Sequence, residues 1–339
     1  MNTQLLGPNE IEKAAVILRS GGLVGIPTET VYGLGANGLN PLAVQNIFQA
    51  KGRPQDNPLI LHIPDASWLE EYCQEIPPSA WRLAERFWPG PLTMILRRKP
   101  VVPDAVTAGL DTVGMRCPAH AMCRAIIRAA GTPVAAPSGN TSGKPSPTTA
   151  QHMLDDMEGK IDAVLDGGSC QVGVESTIVD LTCQPPRLLR PGGVPLEELR
   201  DVLGEIELDP AITRPMKEGE TPRAPGMKYR HYAPKAPVTV VKGEPAHSAQ
   251  YILEHISDSY WEGVICFNEF AHWFENHPVE ALGGTLDSFE HARRLFRALR
   301  AMDGNGVKHI WAQCPGTGGM GLAVVNRLDK AAGFHIVEV

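Results

Sequence analysis

The pattern of apolar and polar positions changes period repeatedly along this chain, and each change marks an element. Ile11, Ala14, Ala15 and Leu18 recur at helical spacing. They predict an amphipathic helix over 9–22, with Asn9 as N-cap and Gly21-Gly22 as its stop. Leu23-Val-Gly-Ile26 is a short apolar run closed by Pro27, so a strand is expected there and Thr28-Glu29-Thr30 falls on the loop after it. Asn40-Pro41 reads as an N-cap with proline at the first helical position, opening a helix that ends near Lys51-Gly52. Further strands are predicted at 58–63, 92–96, 112–116, 133–136, 163–165, 176–181 and 187–190, and helices at 67–73, 79–88, near 120–130 and at 149–157. Such alternation describes one α/β domain of about 200 residues.

Periodicity is lost over 205–236, where Pro, Gly, Lys, Arg and Glu gather. Composition alone makes this a linker. Tyr229, Arg230, His231 and Tyr232, however, are costly to order and suited to ligand contact, so the stretch is expected to act as a lid. A second alternation starts at Val238 and predicts a smaller α/β domain. The expected division is 1–204, 205–236 and 237–339. Within the last part, Gly316-Thr-Gly-Gly-Met-Gly321 fits the dinucleotide fingerprint, but only 18 of the 339 residues follow it. That leaves no room for a second strand and an acidic ribose ligand, so tight helix–strand packing is the expected role.

Composition narrows the function. A net charge of -7 does not predict general affinity for nucleic acid or anionic membrane. The first residues lack a basic segment followed by an apolar core, and no apolar run approaches the ~18 residues of a membrane span. A cytoplasmic protein without membrane contact is expected. Seven cysteines are scattered without a Cys-x-x-Cys pair, which suits a reducing compartment. Cys117, His120 and Cys123 lack a fourth ligand at recognisable spacing, so no metal site is expected.

Four stretches carry candidate chemistry. Lys51-Gly-Arg-Pro-Gln-Asp-Asn-Pro58 sets two cations and an amide around a stiff loop; it suits phosphate binding, or a solvated helix C-terminus. Ser138-Gly-Asn-Thr-Ser-Gly-Lys-Pro-Ser146 supplies hydroxyls and backbone N–H groups for an anion. Its alternative is a hydrophilic loop ending in an N-cap at Ser146, Thr148 or Thr149. Glu175-Ser-Thr177 lies at the mouth of one strand and Arg190-Pro-Gly-Gly193 at the end of the next. Thr30, Arg53, Arg116, Ser138, Ser176 and Arg190 are together expected on strand ends or adjoining loops, since open α/β sheets bind ligands at the strands' carboxyl edge. No Walker loop, hydrolase elbow or His-Glu-x-x-His occurs, so phosphate chemistry fits better than a nucleophilic triad.

Pro27-Thr-Glu-Thr-Val-Tyr-Gly-Leu34, Lys51-Gly-Arg-Pro54, Asn57-Pro-Leu59, Pro137-Ser-Gly-Asn140, Glu175-Ser-Thr177, Arg190-Pro-Gly192 and Pro225-Gly-Met-Lys-Tyr-Arg-His-Tyr-Ala-Pro234 occur in this order. In them the chain resembles the YrdC-like threonylcarbamoyl-AMP synthases in their long, two-domain form. The resemblance implies an N-terminal twisted open sheet with a concave face and a Rossmann-like C-terminal α/β domain. It implies synthesis of threonylcarbamoyl-AMP from L-threonine, bicarbonate and ATP, with Mg2+ as helper, and delivery to a threonylcarbamoyl transferase complex acting on tRNA. Arg53, Asn57, Thr112, Ser138, Ser146 and Arg190 match ATP-binding positions; Thr30, His62, Arg116, Ala136 and Ser176 match the threonine pocket. Lys51 and Arg53 are expected to neutralise phosphate charge. Two rivals remain, an RNA-binding role for the same surface and a hydrogenase-maturation carbamoyl transferase; the second class adds zinc-finger cysteine pairs that this chain lacks.

Overall fold

A computed structural model describes residues 2–216, 222–227 and 232–339. The chain divides into two compact units. Met1–Ser142, Ser146–Gln171 and Glu175–Lys228 make the first; Gly143–Pro145, Val172–Val174 and Tyr229–Val339 make the second.

The first unit is built on a mixed sheet. Its strands are β1 (Gln4–Leu6), β2 (Val24–Ile26), β3 (Gly33–Asn37), β4 (Ile60–His62), β5 (Cys73–Gln74), β6 (Leu92–Arg98), β7 (Thr112–Arg116), β8 (Val134–Ala135), β9 (Ala163–Leu165), β10 (Thr177–Asp180), β11 (Arg187–Arg190) and β12 (Glu207–Leu208). They lie in the order β1-β9-β2-β3-β8-β4-β7-β6-β10-β11-β12, with β5 on β6. The predicted helices form, with changes at their ends. The first runs Ile11–Arg19 with no side-chain cap, so Asn9 is not its N-cap; Glu10 instead accepts from Gly7 N–H at 2.8 Å. Asn40 does cap Pro41–Lys51, accepting from the N–H groups of Leu42 and Ala43. The 67–73 stretch is a 3-10 turn, Ala66–Trp68, followed by one α turn, Leu69–Tyr72.

Period-2 alternation sorts the central strands between two faces. Leu61, Met94, Met115 and Val179 join the large core under the helices Pro41–Lys51 and Pro78–Phe87. Ile60, Ile95 and Ile178 point the other way, where Leu189, Ala211, Ala224 and Met227 cover them. Each of these leucine, isoleucine, valine and methionine side chains stabilises the fold by about 1.5–3 kcal/mol when fully buried. Part of the stretch without periodicity is therefore packed on this unit: β12 extends the sheet beside β11, and Ala211, Ala224 and Met227 lie on its second face. Helices Ile11–Arg19 and Ala121–Ala130 bury Leu18, Ile126 and Ile127 against Val24, Ile26 and Leu165.

The second unit has five parallel strands, β13 (Val238–Lys242), β14 (Glu262–Cys266), β15 (Val279–Ala281), β16 (His309–Gln313) and β17 (Ile336–Glu338), ordered β15-β14-β16-β13-β17. The expectation that no strand fits after Gly321 is wrong. The helix Gly321–Ala331 takes 11 residues, and a turn through Gly333 at φ 60 returns the chain to β17 beside β13. The strands flanking the glycine loop, β16 and β17, are not neighbours. A Cβ on Gly321 would stand 1.9 Å from Gly316 O, so close packing accounts for that glycine.

All seven cysteines are free; six are buried and Cys183 is half-buried. Among the described residues no helix is long and apolar enough to cross a membrane, and no three His, Cys, Asp or Glu side chains stand together to hold a metal ion.

Candidate active site

In-register residues on neighbouring strands share a face. His62 on β4 is the partner of Arg116 on β7, and Arg116 is the partner of Thr93 on β6. Thr93 Oγ1 lies 2.8 Å from the Oγ of Ser176, the residue just before β10. Arg190, ending β11, donates from Nε to Ser176 O at 3.0 Å and from Nη2 to Ser176 Oγ at 3.2 Å. At the other end of this row, Arg116 Nη2 donates to Thr30 Oγ1 at 2.9 Å and lies 2.7 Å from Glu29 Oε1. Glu29, Thr30, His62, Thr93, Arg116, Ser176 and Arg190 are all buried. Most members of this row answer one another, but Glu29 Oε1 and Oε2, His62 Nδ1 and Arg116 Nε are buried without a hydrogen-bond partner.

Strand direction explains where the row falls. Arg116 and Arg190 end strands, whereas Thr93 and Ser176 stand near strand starts; they meet because β6–β7 and β10–β11 are antiparallel. The expectation of a carboxyl edge fails here, since that rule belongs to parallel sheets. Arg53 also stands apart from Arg116. Its Nη2 donates to Asn57 O at 3.3 Å and Pro58 O at 3.1 Å, ahead of β4. Thr112 opens β7, about 13 Å along the strand from Arg116. Arg53, Asn57 and Thr112 thus lie toward one end of β4 and β7, and His62 and Arg116 at the other.

A third group surrounds the loop after β8. The helix Pro41–Lys51 ends at Gly52 in the left-handed region, φ 62. Lys51, 2% exposed, donates from Nζ to Ser138 O at 2.5 Å and to Asn140 O. Ser138 Oγ donates to Asn140 Oδ1 at 2.6 Å. Gly139 N–H donates to Tyr32 O at 2.8 Å and Tyr32 N–H to Pro147 O at 2.8 Å, tying this loop to the one that carries Thr30. Ser146 Oγ donates to Glu175 Oε1 at 2.5 Å, and the next helix is capped by Thr149, not by Ser146 or Thr148. Ala136 N–H donates to Ile60 O at 3.1 Å. A Cβ on Gly192 would meet Thr177 N at 2.3 Å, so the turn after Arg190 lies directly on the start of β10.

Burial, reinforced by Arg116 and opposed by Glu29, pushes the His62 ring down to about 3. Its imidazole is neutral, and Nδ1 has no hydrogen-bond partner. Burial pushes the Glu29 carboxyl up, but Arg116 outweighs it and holds the group below the usual range. The ensemble offers guanidinium groups for anions, hydroxyls for orientation and two buried carboxylates, Glu29 beside Arg116 and Glu175 on Ser146 Oγ. Sequence reasoning missed Glu29, Thr93 and Glu175. Glu29 and Glu175 sit inside motifs already singled out, beside Thr30 and Ser176; Thr93 carries no local signal, because only strand pairing brings it to Arg116. Of the expected lid, Tyr229, Arg230 and His231 lie outside the described residues. Tyr232 is buried in the second unit, its ring centroid 5.2 Å from that of Phe296 and 5.6 Å from the Arg327 guanidinium carbon.

The Sua5/YciO/YrdC family model, described as telomere recombination, matches residues 16–192, and a model for the C-terminal domain of threonylcarbamoyl-AMP synthase matches 194–333. The chain is 51% identical to threonylcarbamoyl-AMP synthase of Pyrococcus abyssi, over 97% of this chain and 96% of that protein. It is 45% identical to the Bacillus subtilis protein of the same name, over 97% and 94%. The crystal structure of P. abyssi Sua5 complexed with L-threonine superposes with a TM-score of 0.94 at 48% identity, covering 100% of both chains. With matches spanning both units, the chain belongs to the Sua5/YciO/YrdC family in its two-domain form.

Proposed function

We propose that this chain, a threonylcarbamoyl-AMP synthase, converts L-threonine, bicarbonate and ATP into threonylcarbamoyl-AMP and pyrophosphate. The observation that carries this reading is the buried row Thr30, Arg116, Thr93, Ser176 and Arg190, which sets two guanidiniums among hydroxyls in the unit matched by the family model. Thr30, His62, Arg116, Ala136 and Ser176 form the threonine pocket. Arg53, Asn57, Thr112, Ser138, Ser146 and Arg190 receive ATP. Lys51 adds charge from behind the Ser138 loop, whose carbonyls it holds.

The threonine amine, once deprotonated, forms an N–C bond to CO2 with release of an N–H proton, or to bicarbonate with cleavage of a C–O bond and loss of water, giving a carbamate. A carbamate oxygen then attacks the α-phosphorus as the bond to the leaving pyrophosphate breaks. No covalent enzyme intermediate is needed. The chain's residues act by holding two anions together and by fixing cations where charge develops. Mg2+ fits as an ion carried mainly by the triphosphate and water, because no three acidic or histidine side chains gather among the described residues; it would lower the charge on the phosphates. The segment 225–234 is read as a lid, supported by the hydrogen bond from Arg190 Nη1 to Pro225 O at 3.3 Å. The free cysteines support a cytoplasmic setting, where the product would pass to a transferase acting on tRNA.

Pyrophosphate release from ATP should require both L-threonine and bicarbonate. Arg53→Ala should lower the rate by about 100- to 1,000-fold, the scale of losing one fixed charge-stabilising donor. Release that ignores threonine would sink the assignment.

A further inference from the structure

Glu29 is a carboxylate at 5% exposure, drawn on by the Arg116 guanidinium and the backbone N–H of Ala119. Thr28 Oγ1 accepts from the N–H groups of Thr30 and Val31, both at 3.2 Å, and donates to Val31 O at 2.6 Å. This fixes a tight turn with Glu29 inside it. The carboxylate faces Arg116 at 2.7 Å as an ion pair, yet neither oxygen receives a well-formed hydrogen bond. Buried charge left so poorly answered is costly. A structure-only role would be served better by a hydrogen-bonded pair.

The shortfall matches one part of an α-amino acid. In the threonine pocket proposed above, on which this inference rests, the substrate brings a carboxylate, a hydroxyl and an ammonium. Arg116 answers the carboxylate by charge, and the neutral His62 ring and nearby hydroxyls suit the hydroxyl. An ammonium with three N–H donors is then left, and Glu29 has the acceptor capacity to take it. We propose that Glu29 receives the α-ammonium of the amino-acid substrate and makes the pocket selective for a free α-amine. The nitrogen that must be carboxylated is thereby set beside a fixed acceptor. After carbamate formation that nitrogen keeps one N–H, so the same oxygen holds it through the reaction.

Calorimetric titration of the full chain with L-threonine and with 2,3-dihydroxybutanoate, which carries an α-hydroxyl in place of the α-ammonium, tests this. The native chain should prefer L-threonine by at least about tenfold. Glu29→Gln should weaken L-threonine binding by about 10- to 100-fold, the scale of one charge-assisted hydrogen bond, and leave dihydroxybutanoate within about threefold. Equal losses for both compounds would mean a structural role and overturn the proposal. Glu29→Asp keeps the charge and should keep the preference at lower affinity; circular dichroism establishes that each variant is folded. If the glutamine variant does not fold, the native chain and Glu29→Asp decide, and equal native affinity for the two compounds overturns the proposal. A native chain that binds neither compound removes the threonine reading itself, and the proposal with it.

Discussion

An ammonium at 2% exposure has to be answered by oxygen atoms, and Lys51 is answered by the carbonyls of Ser138 and Asn140. His62 meets the same burial in the opposite way, by giving up its charge. With its folded value near 3 and its ordinary value near 6.5, only the unfolded chain takes up this proton between those limits. Stability from His62 is therefore complete above about pH 6.5 and is lost as pH falls toward 3. Between about pH 6.5 and 5, the native chain should lose about 1.5 kcal/mol more than His62→Asn in denaturant titrations. Equal pH dependence would place a charged ring in the pocket. At this scale the sequence revealed candidate side chains but not their partners: nothing in Lys51-Gly52-Arg53 signals the Ser138 and Asn140 carbonyls on Lys51 Nζ, and Thr93 matters only through its place opposite Arg116.

Elements were legible where periodicity was long and hidden where it was not. The helices at 11–19, 41–51 and 288–304 carry clear apolar faces, and Asn40-Pro41 marks its start correctly. Three-residue strands were legible only as apolar runs, as at Val24–Ile26 and Ala163–Leu165; Gln4–Leu6 and Ile336–Glu338, of the same length, mix apolar and polar positions and were not. Gly33–Asn37, Gly-Leu-Gly-Ala-Asn, lacks β-branched residues and runs small because strands and loops approach it closely. The same closeness makes a test at Gly192. A methyl group there would meet the backbone around Ser176 and Thr177 at 2.3 to 2.4 Å, so the turn after Arg190 must lift. Gly192→Ala should destabilise by about 1–3 kcal/mol and weaken both L-threonine and ATP binding, because Ser176 and Arg190 move together. Unaltered binding of both ligands would show that the turn is not part of the site.

Each unit has its own sheet and core, and the residues read as the substrate site, Tyr232 of the proposed lid apart, fall in the first unit among those described. Separate cores predict two unfolding transitions in calorimetry. Saturating L-threonine with ATP should raise one of them, by about 2.7 kcal/mol at a hundredfold excess over Kd, and leave the other in place. A single transition that shifts as a whole would show that the units unfold as one. The mixed sheet was not foreseeable from strand and helix alternation alone, since strand direction is decided by pairings between distant segments. The cysteines, finally, give the molecule a practical asymmetry. Burial raises the thiols of Cys73, Cys123, Cys266 and Cys314 to about 12 and that of Cys117 to about 11, and pushes Cys170 up as well. Cys183, in the turn between β10 and β11, is the least enclosed. Burial and Asp180 push the Cys183 thiol up as well, so its exposure rather than its acidity makes it the natural attachment point for a fluorophore or spin label, and labelling it requires no cysteine to be removed.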